Sequence, residues 1–171
     1  MSPETEELYA THMKCIKDDL FLLPFGGHGI GHTKRVLRLA LMIASSYTLT
    51  ASEINTLAVS CCYHDIGRDR ECVDDEHGAK SATKFLRLKL NEKHKLNTNE
   101  VGVVLNLITM HSLDDSLFVG DERETLLFQI LKDADALDRV RFGGLDTKYL
   151  RLSKSCELVQ LAKELYYTDK Q

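Results

Sequence analysis

The sequence carries at residues 57–68 the stretch Leu57-Ala58-Val59-Ser60-Cys61-Cys62-Tyr63-His64-Asp65-Ile66-Gly67-Arg68, in which an apolar pattern runs directly into a histidine and an aspartate. Cys61 and His64 follow Leu57 by four and seven residues, so all three share one face of a helix. Asp65 lies four residues after Cys61 and falls beside this face. Because aspartate is almost never buried without a partner, the stretch predicts a helix whose inward face ends in two polar groups that share a partner.

Helical periodicity recurs along the chain, whereas the alternation typical of strands does not. Thr50 with Glu53, and Asn97 with Glu100, have the spacing of capping boxes, and the glycine-rich segment 21–31 predicts a loop. The predicted fold class is therefore all-α, a compact single-domain helical bundle spanning residues 1–171. The expected helices cover about 5–19, 32–47, 50–63, 76–90, 97–110, 120–137 and 146–166. On the fourth of these, Phe85 and Leu88 are expected to face inward.

The composition is that of an ordinary globular protein and narrows the choice of partners. Of the 171 residues, 43% are hydrophobic and 28% are charged, which is typical of a soluble domain. The formal net charge of −4 argues against binding of duplex nucleic acid, because domains that bind it are usually basic. A small phosphorylated substrate remains compatible with this charge, since a metal ion or a few local cations can bind phosphate in an acidic protein.

The sequence lacks the patterns of membrane and secreted proteins. Its longest apolar run, residues 39–44, is far shorter than the roughly 20 residues of a membrane span, and residues 1–7 are acidic rather than apolar. The five cysteines include the adjacent pair Cys61 and Cys62 and form no Cys-x-x-Cys motif, which favours a reducing compartment. We therefore expect a cytoplasmic protein, a monomer or a homodimer, that contacts no membrane.

Histidine and aspartate residues also end other inward-facing stripes. Five predicted helices each carry one on the core side: His32, His64, His77, His111 and Asp135. One such residue alone is more often a hydrogen-bonded core residue than a ligand. Five together converge on one explanation, a cation shared in the middle of the bundle. Nitrogen and oxygen ligands of these types suit Mn, Fe, Co, Ni or Zn better than Ca or Mg.

The order of these residues resembles the His … His-Asp … Asp signature of the HD-domain metal-dependent phosphohydrolase superfamily. Three contexts carry the resemblance: Gly29-Ile30-Gly31-His32-Thr33-Lys34-Arg35-Val36, Cys62-Tyr63-His64-Asp65-Ile66-Gly67-Arg68 and Leu131-Lys132-Asp133-Ala134-Asp135-Ala136-Leu137-Asp138. It covers about residues 26–140 and implies a divalent transition metal held by four residues: His32, His64, Asp65 and Asp135. It further implies an enzyme, whose metal-bound water hydrolyses phosphomonoesters or phosphoanhydrides of small metabolites, nucleotides above all.

Additional residues resemble positions that differ between subgroups of the superfamily. His77, His111 and Arg68 are expected to act in catalysis or on the substrate phosphate, or to bind a second metal. One metal per chain is favoured and two remain possible.

Charged residues near these motifs supply weaker candidates. Three of them are substrate candidates: His28, Lys80 and Asp69. Asp133 and Asp138 flank Asp135 but fall off its stripe, so they are predicted to pair at the surface.

Two other functions stay open at this point. One is a cyclic-nucleotide or nucleic-acid phosphodiesterase of the same fold. The short chain leaves little room to grip a polymer such as nucleic acid, but it is compatible with a cyclic dinucleotide. The other is a non-catalytic module that binds a nucleotide, and the intact set of four ligand positions argues against it.

Overall fold

The computed structural model describes residues 2–168, and this part of the chain is all-α with no strand, as predicted. The helices are α1 (Pro3–Met13), α2 (Ile30–Ala44), α3 (Ala51–Tyr63), α4 (His77–Arg87), α5 (Leu90–Lys93), α6 (Thr98–Met110), α7 (Glu122–Leu137), α8 (Ser153–Glu157) and α9 (Val159–Thr168). Short 3-10 turns lie between them at Asp18–Leu20, Asp115–Leu117, Asp138–Phe142 and Thr147–Tyr149.

The helix starts follow the capping signals in the sequence. Thr50 and Asn97 each accept the backbone N–H three residues later, and Glu53 and Glu100 return a bond to the cap backbone, so both predicted capping boxes are present. Asp121 caps α7 in the same manner through the N–H of Glu124. These bonds satisfy backbone groups that a helix start leaves without a partner, and each cap contributes about 1 kcal/mol.

The core forms where α2 packs against α3 and α7, while α6 packs against α3 and α4. Its largest members are fully enclosed, among them Leu37, Ile43, Leu57, Leu107 and Leu131. Each side chain of this size stabilises the fold by roughly 1.5–3 kcal/mol when it is buried. The helices that carry the predicted site are thus the ones held most firmly.

Both flanking helices differ from the prediction. The first ends at Met13, not near residue 19, and a 3-10 turn follows at Asp18–Leu20, because adjacent aspartates favour turns over helix interior. The predicted helix over 146–166 is broken into a turn, α8 and α9. Asp146 caps only the turn Thr147–Tyr149, after which the chain extends to Leu152.

The fourth helix also ends earlier than expected, at Arg87. Lys89 takes a left-handed conformation with φ of 53°, which stops the helical register before α5. Phe85 is buried as predicted, but Leu88 is 42% exposed, so its predicted inward position is wrong. Among residues 2–168, no helix combines the length and the apolar character needed to cross a membrane.

Candidate metal centre

Five helix ends meet at one place inside the bundle. His32 lies in the first turn of α2, and His64 and Asp65 directly follow α3. His77 opens α4, His111 caps the end of α6, and Asp135 lies in the last turn of α7. The structure therefore brings together the five positions that the helical stripes singled out. Asp65 and all four histidines are buried to 95% or more: His32, His64, His77 and His111.

His32, His64 and Asp65 form a first group of converging donor atoms. The Nε2 atoms of His32 and His64 lie 3.1 Å apart, and Oδ2 of Asp65 lies 3.4 Å from the first and 3.6 Å from the second. Asp135 joins the group through Oδ1, 3.3 Å from Nε2 of His32. Ligands bound to one ion at about 2.0–2.2 Å lie about 3–3.5 Å from each other, so these spacings suit a single divalent ion.

Asp65, His77 and His111 form a second group beside the first. Oδ1 of Asp65 is 3.1 Å from Nε2 of His77 and 3.5 Å from Nε2 of His111. The two Nε2 atoms are 2.9 Å apart. Asp65 thus faces the first group with Oδ2 and the second with Oδ1, which is the arrangement of a bridging carboxylate.

A glycine allows the two helices of the second group to approach each other. A Cβ atom at Gly78 would lie 2.5 Å from the carbonyl oxygen of Thr109 and 2.7 Å from that of Ile108, both on α6. Real Cβ atoms are not found so close to a backbone oxygen, so only glycine permits this contact. Gly78 follows His77 directly, and the two carbonyls lie in the last turn of α6 just before His111, so this contact sets the distance between His77 and His111.

Each of the four histidines uses Nδ1 to bind the protein and turns Nε2 to the centre. The Nδ1 atoms of His64 and His111 donate to the carbonyls of Cys61 and Ile108 at 2.9 and 2.6 Å, and that of His77 donates to the carbonyl of Asp74. A carbonyl only accepts, so the proton is on Nδ1 and Nε2 keeps its lone pair. Lone pairs that face one another at about 3 Å need a cation between them, and histidines held in this way are typical metal ligands.

His32 differs from the others, because its Nδ1 donates to a carboxylate, Oδ2 of Asp138, at 2.8 Å. Asp138 is fully buried, and it also accepts from Arg35 Nε at 2.5 Å and from Arg141 Nη1 at 2.9 Å. The prediction that Asp138 pairs at the surface is therefore wrong. Asp138 follows Asp135 by three residues and so lies on a neighbouring face of the same helical segment. This spacing was the feature of the sequence that could have indicated a position near the centre.

Asp133 is fully buried as well, contrary to the predicted surface role. Its carboxylate accepts the backbone N–H groups of Arg151 and Leu152 at 3.0 and 2.9 Å. A partner this distant in sequence could not be inferred from local periodicity.

The electrostatics of the centre favour a bound cation. Burial lowers the pKa of His64 to about 3, so its ring is neutral. Burial would raise the pKa of Asp65, but the surrounding histidines hold it well below its ordinary value. Burial also disfavours charge on His32, yet hydrogen bonds with Asp135, Asp138 and Asp65 raise its pKa to about 10. The carboxylates thus stabilise positive charge at Nε2 of His32, whether a proton or a metal ion carries it.

Arg68 lies at the centre, as its sequence position indicated. Its Nε donates to Oδ1 of Asp65 at 3.1 Å, and its Nη2 lies 3.3 Å from Nε2 of His77. Its Nη1 donates to the carbonyl of Cys72 at 3.3 Å. The guanidinium therefore contacts two of the three members of the second group.

The three weaker candidates lie at different distances from the centre. Nδ1 of His28 donates to Oε2 of Glu71 at 2.8 Å, and His28 lines a small recess together with Asp65 and Arg68, so it stands at a mouth of the site. Lys80 instead bridges Asp69 and Asp74 at 3.0 and 2.9 Å. Since the carbonyl of Asp74 accepts from His77, Lys80 and Asp69 support the loop before α4.

A cavity of about 500 Å³ opens over the second group. Its lining includes His77, His111 and Asp135 from the centre, together with Arg68. The side chain of Asp135 is 34% exposed, whereas that of Asp65 is 2% exposed. A substrate can therefore reach the donor atoms from this side.

A centre of histidines and carboxylates at the meeting point of helix ends is typical of metal-dependent hydrolases built on an all-α fold. The family model of the HD domain matches residues 29–140. Because this match covers more than half of the 171 residues, the chain belongs to the HD domain family. Membership in this family implies a place in a superfamily of metal-dependent phosphohydrolases. Comparisons with curated proteins and with solved structures found no match.

Proposed function

We propose that this protein is a metal-dependent phosphohydrolase that releases phosphate or pyrophosphate from small phosphorylated metabolites, nucleotides first among them. The observation that supports this proposal most directly is the set of four inward-facing Nε2 atoms around the two oxygens of Asp65. Such an arrangement is unfavourable without a cation, and HD family membership indicates hydrolysis of phosphate bonds as the use of that cation.

His32, His64, Asp65 and Asp135 would hold the ion, and Asp138 would fix the ring of His32 through Nδ1. The fit rests on the distances of about 3 Å between donor atoms, on the neutral ring of His64 and on the carboxylates that stabilise positive charge at Nε2 of His32. A divalent ion bound there supplies Lewis acidity, which lowers the pKa of water and polarises a phosphoryl oxygen. Asp135, the most exposed of the four ligands, faces the cavity from which the substrate enters.

His77 and His111 would form hydrogen bonds with the substrate phosphate. Their Nε2 atoms are 2.9 Å apart and both line the cavity, so the pair can hold one proton between them and deliver it to the leaving oxygen. Hydrogen bonds to a charged phosphoryl group contribute about 1.5–3 kcal/mol each.

We favour one ion per chain because Arg68 already supplies positive charge to the second group. Its guanidinium contacts Oδ1 of Asp65 and approaches Nε2 of His77, the atoms that a second ion would need. The second group nevertheless has the three donors of a metal site, so two ions remain the alternative within the same proposal.

The test combines metal analysis with a substrate screen. Protein loaded with Mn, Co, Ni or Mg is assayed for release of phosphate and pyrophosphate from nucleoside mono-, di- and triphosphates and from cyclic nucleotides. The variants Asp65→Asn and Asp135→Ala should remain folded, lose bound metal and lose at least about 100-fold in turnover, since even partners outside the ligand set contribute 10- to 100-fold. Asp19→Asn changes an exposed aspartate far along the chain and serves as the matched control.

Wild-type rates in Asp65→Asn would contradict the metal mechanism. Binding of nucleotides by metal-loaded protein without any release of phosphate would instead establish a binding module.

A further inference from the structure

One wall of the cavity over the metal centre is lined by residues 144–151, a segment that we call the strap. Gly144, Leu145, Asp146, Tyr149 and Arg151 of the strap line this cavity together with His77, His111 and Asp135. The family match ends at residue 140. The strap is therefore a feature of this chain that the family signature does not specify.

The strap is held in place by a buried carboxylate. Asp133 accepts the backbone N–H of Arg151 with both oxygens at 3.0 Å and the N–H of Leu152 at 2.9 Å. The guanidinium of Arg151 binds Asp133 at 3.1 Å and Asp115 at 2.5 and 2.8 Å. Since charged hydrogen bonds of this kind fix geometry, they anchor the C-terminal end of the strap at the cavity wall.

The strap presents an aromatic ring at this wall. The Tyr149 side chain is 65% exposed, and the backbone two residues after it is held by Asp133. One exposed aromatic residue on an open surface needs no explanation. Here the ring lines a cavity that leads to the metal donors. Nζ of Lys148 lies over one face of the ring, 4.8 Å from its centroid, so a planar group would stack on the opposite face, where an aromatic side chain offers contact area at little entropic cost.

A cation without a partner lines the same cavity. Arg68, Lys132 and Arg151 are engaged with Asp65, Asp115 and Asp133 respectively. Arg139, in contrast, forms no side-chain hydrogen bond or ion pair with any residue in the range 2–168. It follows Asp135 by four residues, so it lies next to this ligand along the helical segment. An unpaired guanidinium in this place can bind a phosphate with its planar fork.

We propose that Tyr149 and Arg139 form a nucleotide-recognition subsite beside the metal centre. Tyr149 stacks on the base, and Arg139 binds phosphate oxygens, so that the preferred substrates carry a planar base. The role in turnover rests on the proposed phosphohydrolase function, whereas base binding by Tyr149 does not depend on it.

Two matched substrate pairs test this subsite: adenosine 5′-monophosphate with ribose 5-phosphate, and adenosine 5′-triphosphate with inorganic tripolyphosphate. The first pair differs in the base alone, and the second differs in the whole adenosine group, which includes the base. Tyr149→Ala should reduce the preference in kcat/KM for the base-bearing member by about tenfold, within the roughly 5- to 150-fold range of base–aromatic stacking. Tyr149→Phe keeps an aromatic face and should restore the preference. Arg139→Ala should lower kcat/KM for both members by about 10- to 150-fold.

Binding of adenosine to metal-loaded protein can be measured by saturation-transfer NMR, which supplies a readout that does not depend on turnover. Tyr149→Ala should abolish this signal and Arg139→Ala should retain it, because adenosine has no phosphate. The control is Tyr167→Ala, which removes a ring with the same 65% exposure on α9.

The outcomes separate the two proposals. Release of phosphate with equal kcat/KM for both members of each pair, and an adenosine signal unchanged in Tyr149→Ala, would overturn the subsite and leave the phosphohydrolase intact. Release from none of the four compounds would overturn the phosphohydrolase, while the adenosine signal would still decide the subsite.

Discussion

Oδ2 of Asp138 accepts a hydrogen bond from Nδ1 of His32 at 2.8 Å, and neither side chain is exposed to solvent. The same carboxylate also binds Arg35 and Arg141, so two cations keep it ionised and fixed. It orients the His32 ring with Nε2 toward His64 and Asp65, and a carboxylate behind a ligating imidazole raises its basicity. Asp138 is therefore a positioning residue for the metal centre.

Removal of this carboxylate charge should weaken metal binding. Asp138→Asn retains an acceptor for His32 but loses the negative charge. We expect the dissociation constant of the metal ion, measured by competition with a chromogenic chelator, to rise 10- to 100-fold. Asp138→Ala should in addition destabilise the fold by about 3–5 kcal/mol, because Arg35 and Arg141 would lose the buried carboxylate that both of them bind.

Asp133→Asn is the matched control for this prediction, since Asp133 is equally buried but binds the backbone at Arg151 and Leu152. It should lose stability in urea denaturation while its metal affinity stays close to that of the wild type. A metal affinity unchanged in Asp138→Asn would refute the positioning role.

The sequence predicted the all-α fold and the residues at the centre because helical spacing determines which side chains share a face. Residues at the ends of those faces, such as His32 and His111, therefore point into the core, where the packing of the helices brings them together. Asp133 and Asp138 could not be placed in this way. Each lies off the main stripe and is buried because of partners outside its helix, at Arg151 and at His32 and Arg35. The break in the predicted helix over 146–166 has the same origin, since Asp133 binds backbone groups that a continuous helix would use.

Arg68 should control the number of bound ions. If its guanidinium takes the place of a second ion, wild-type protein binds about one metal per chain and Arg68→Ala exposes Oδ1 of Asp65 and the two histidines to a second. Elemental analysis after gel filtration should then show an increase from about one to about two. Arg70→Ala, which removes a neighbouring arginine paired with the exposed Asp69, is the control. A wild-type content near two that falls to one in His77→Ala would support the two-ion alternative.

The close approach of α4 to α6 gives a prediction for two glycines. Gly78→Ala would place a methyl group against the carbonyls of Thr109 and Ile108, which should destabilise the fold by about 1–3 kcal/mol. The helices would separate and carry His77 away from His111, so turnover should fall as well. Gly102→Ala is the control within α6, because nothing lies within 4 Å of its Cβ position, and it should stabilise by up to about 1 kcal/mol. The measurement is the free energy of unfolding in urea for both variants and the wild type. A Gly78→Ala variant as stable as the wild type would refute the contact.

A histidine pair outside the metal centre should make stability depend on pH. Burial lowers the pKa of His12 and lowers that of His94 to about 4. The rings stack with their centroids 5.7 Å apart, and Nε2 of His94 lies 2.8 Å from the hydroxyl of Tyr63. In the folded protein the neutral His94 ring accepts from this hydroxyl, and protonation would remove the bond.

The unfolded chain binds a proton at these histidines near pH 6.5, while the folded His94 stays neutral until about pH 4. Stability from this source is therefore complete above pH 6.5 and declines as the pH falls toward 4. Because the unfolded histidine is only half protonated at pH 6.5, the loss between pH 6.5 and 5.5 is at most about 1 kcal/mol rather than the full 1.4 kcal/mol per pH unit, and solvent screening of the partly accessible His94 ring reduces it further. His94→Gln keeps a polar partner for Tyr63 but does not titrate, so its urea midpoint should vary less with pH over this interval. Identical pH profiles for the wild type and His94→Gln would show that this pair does not contribute, since the metal-centre histidines are the same in both proteins.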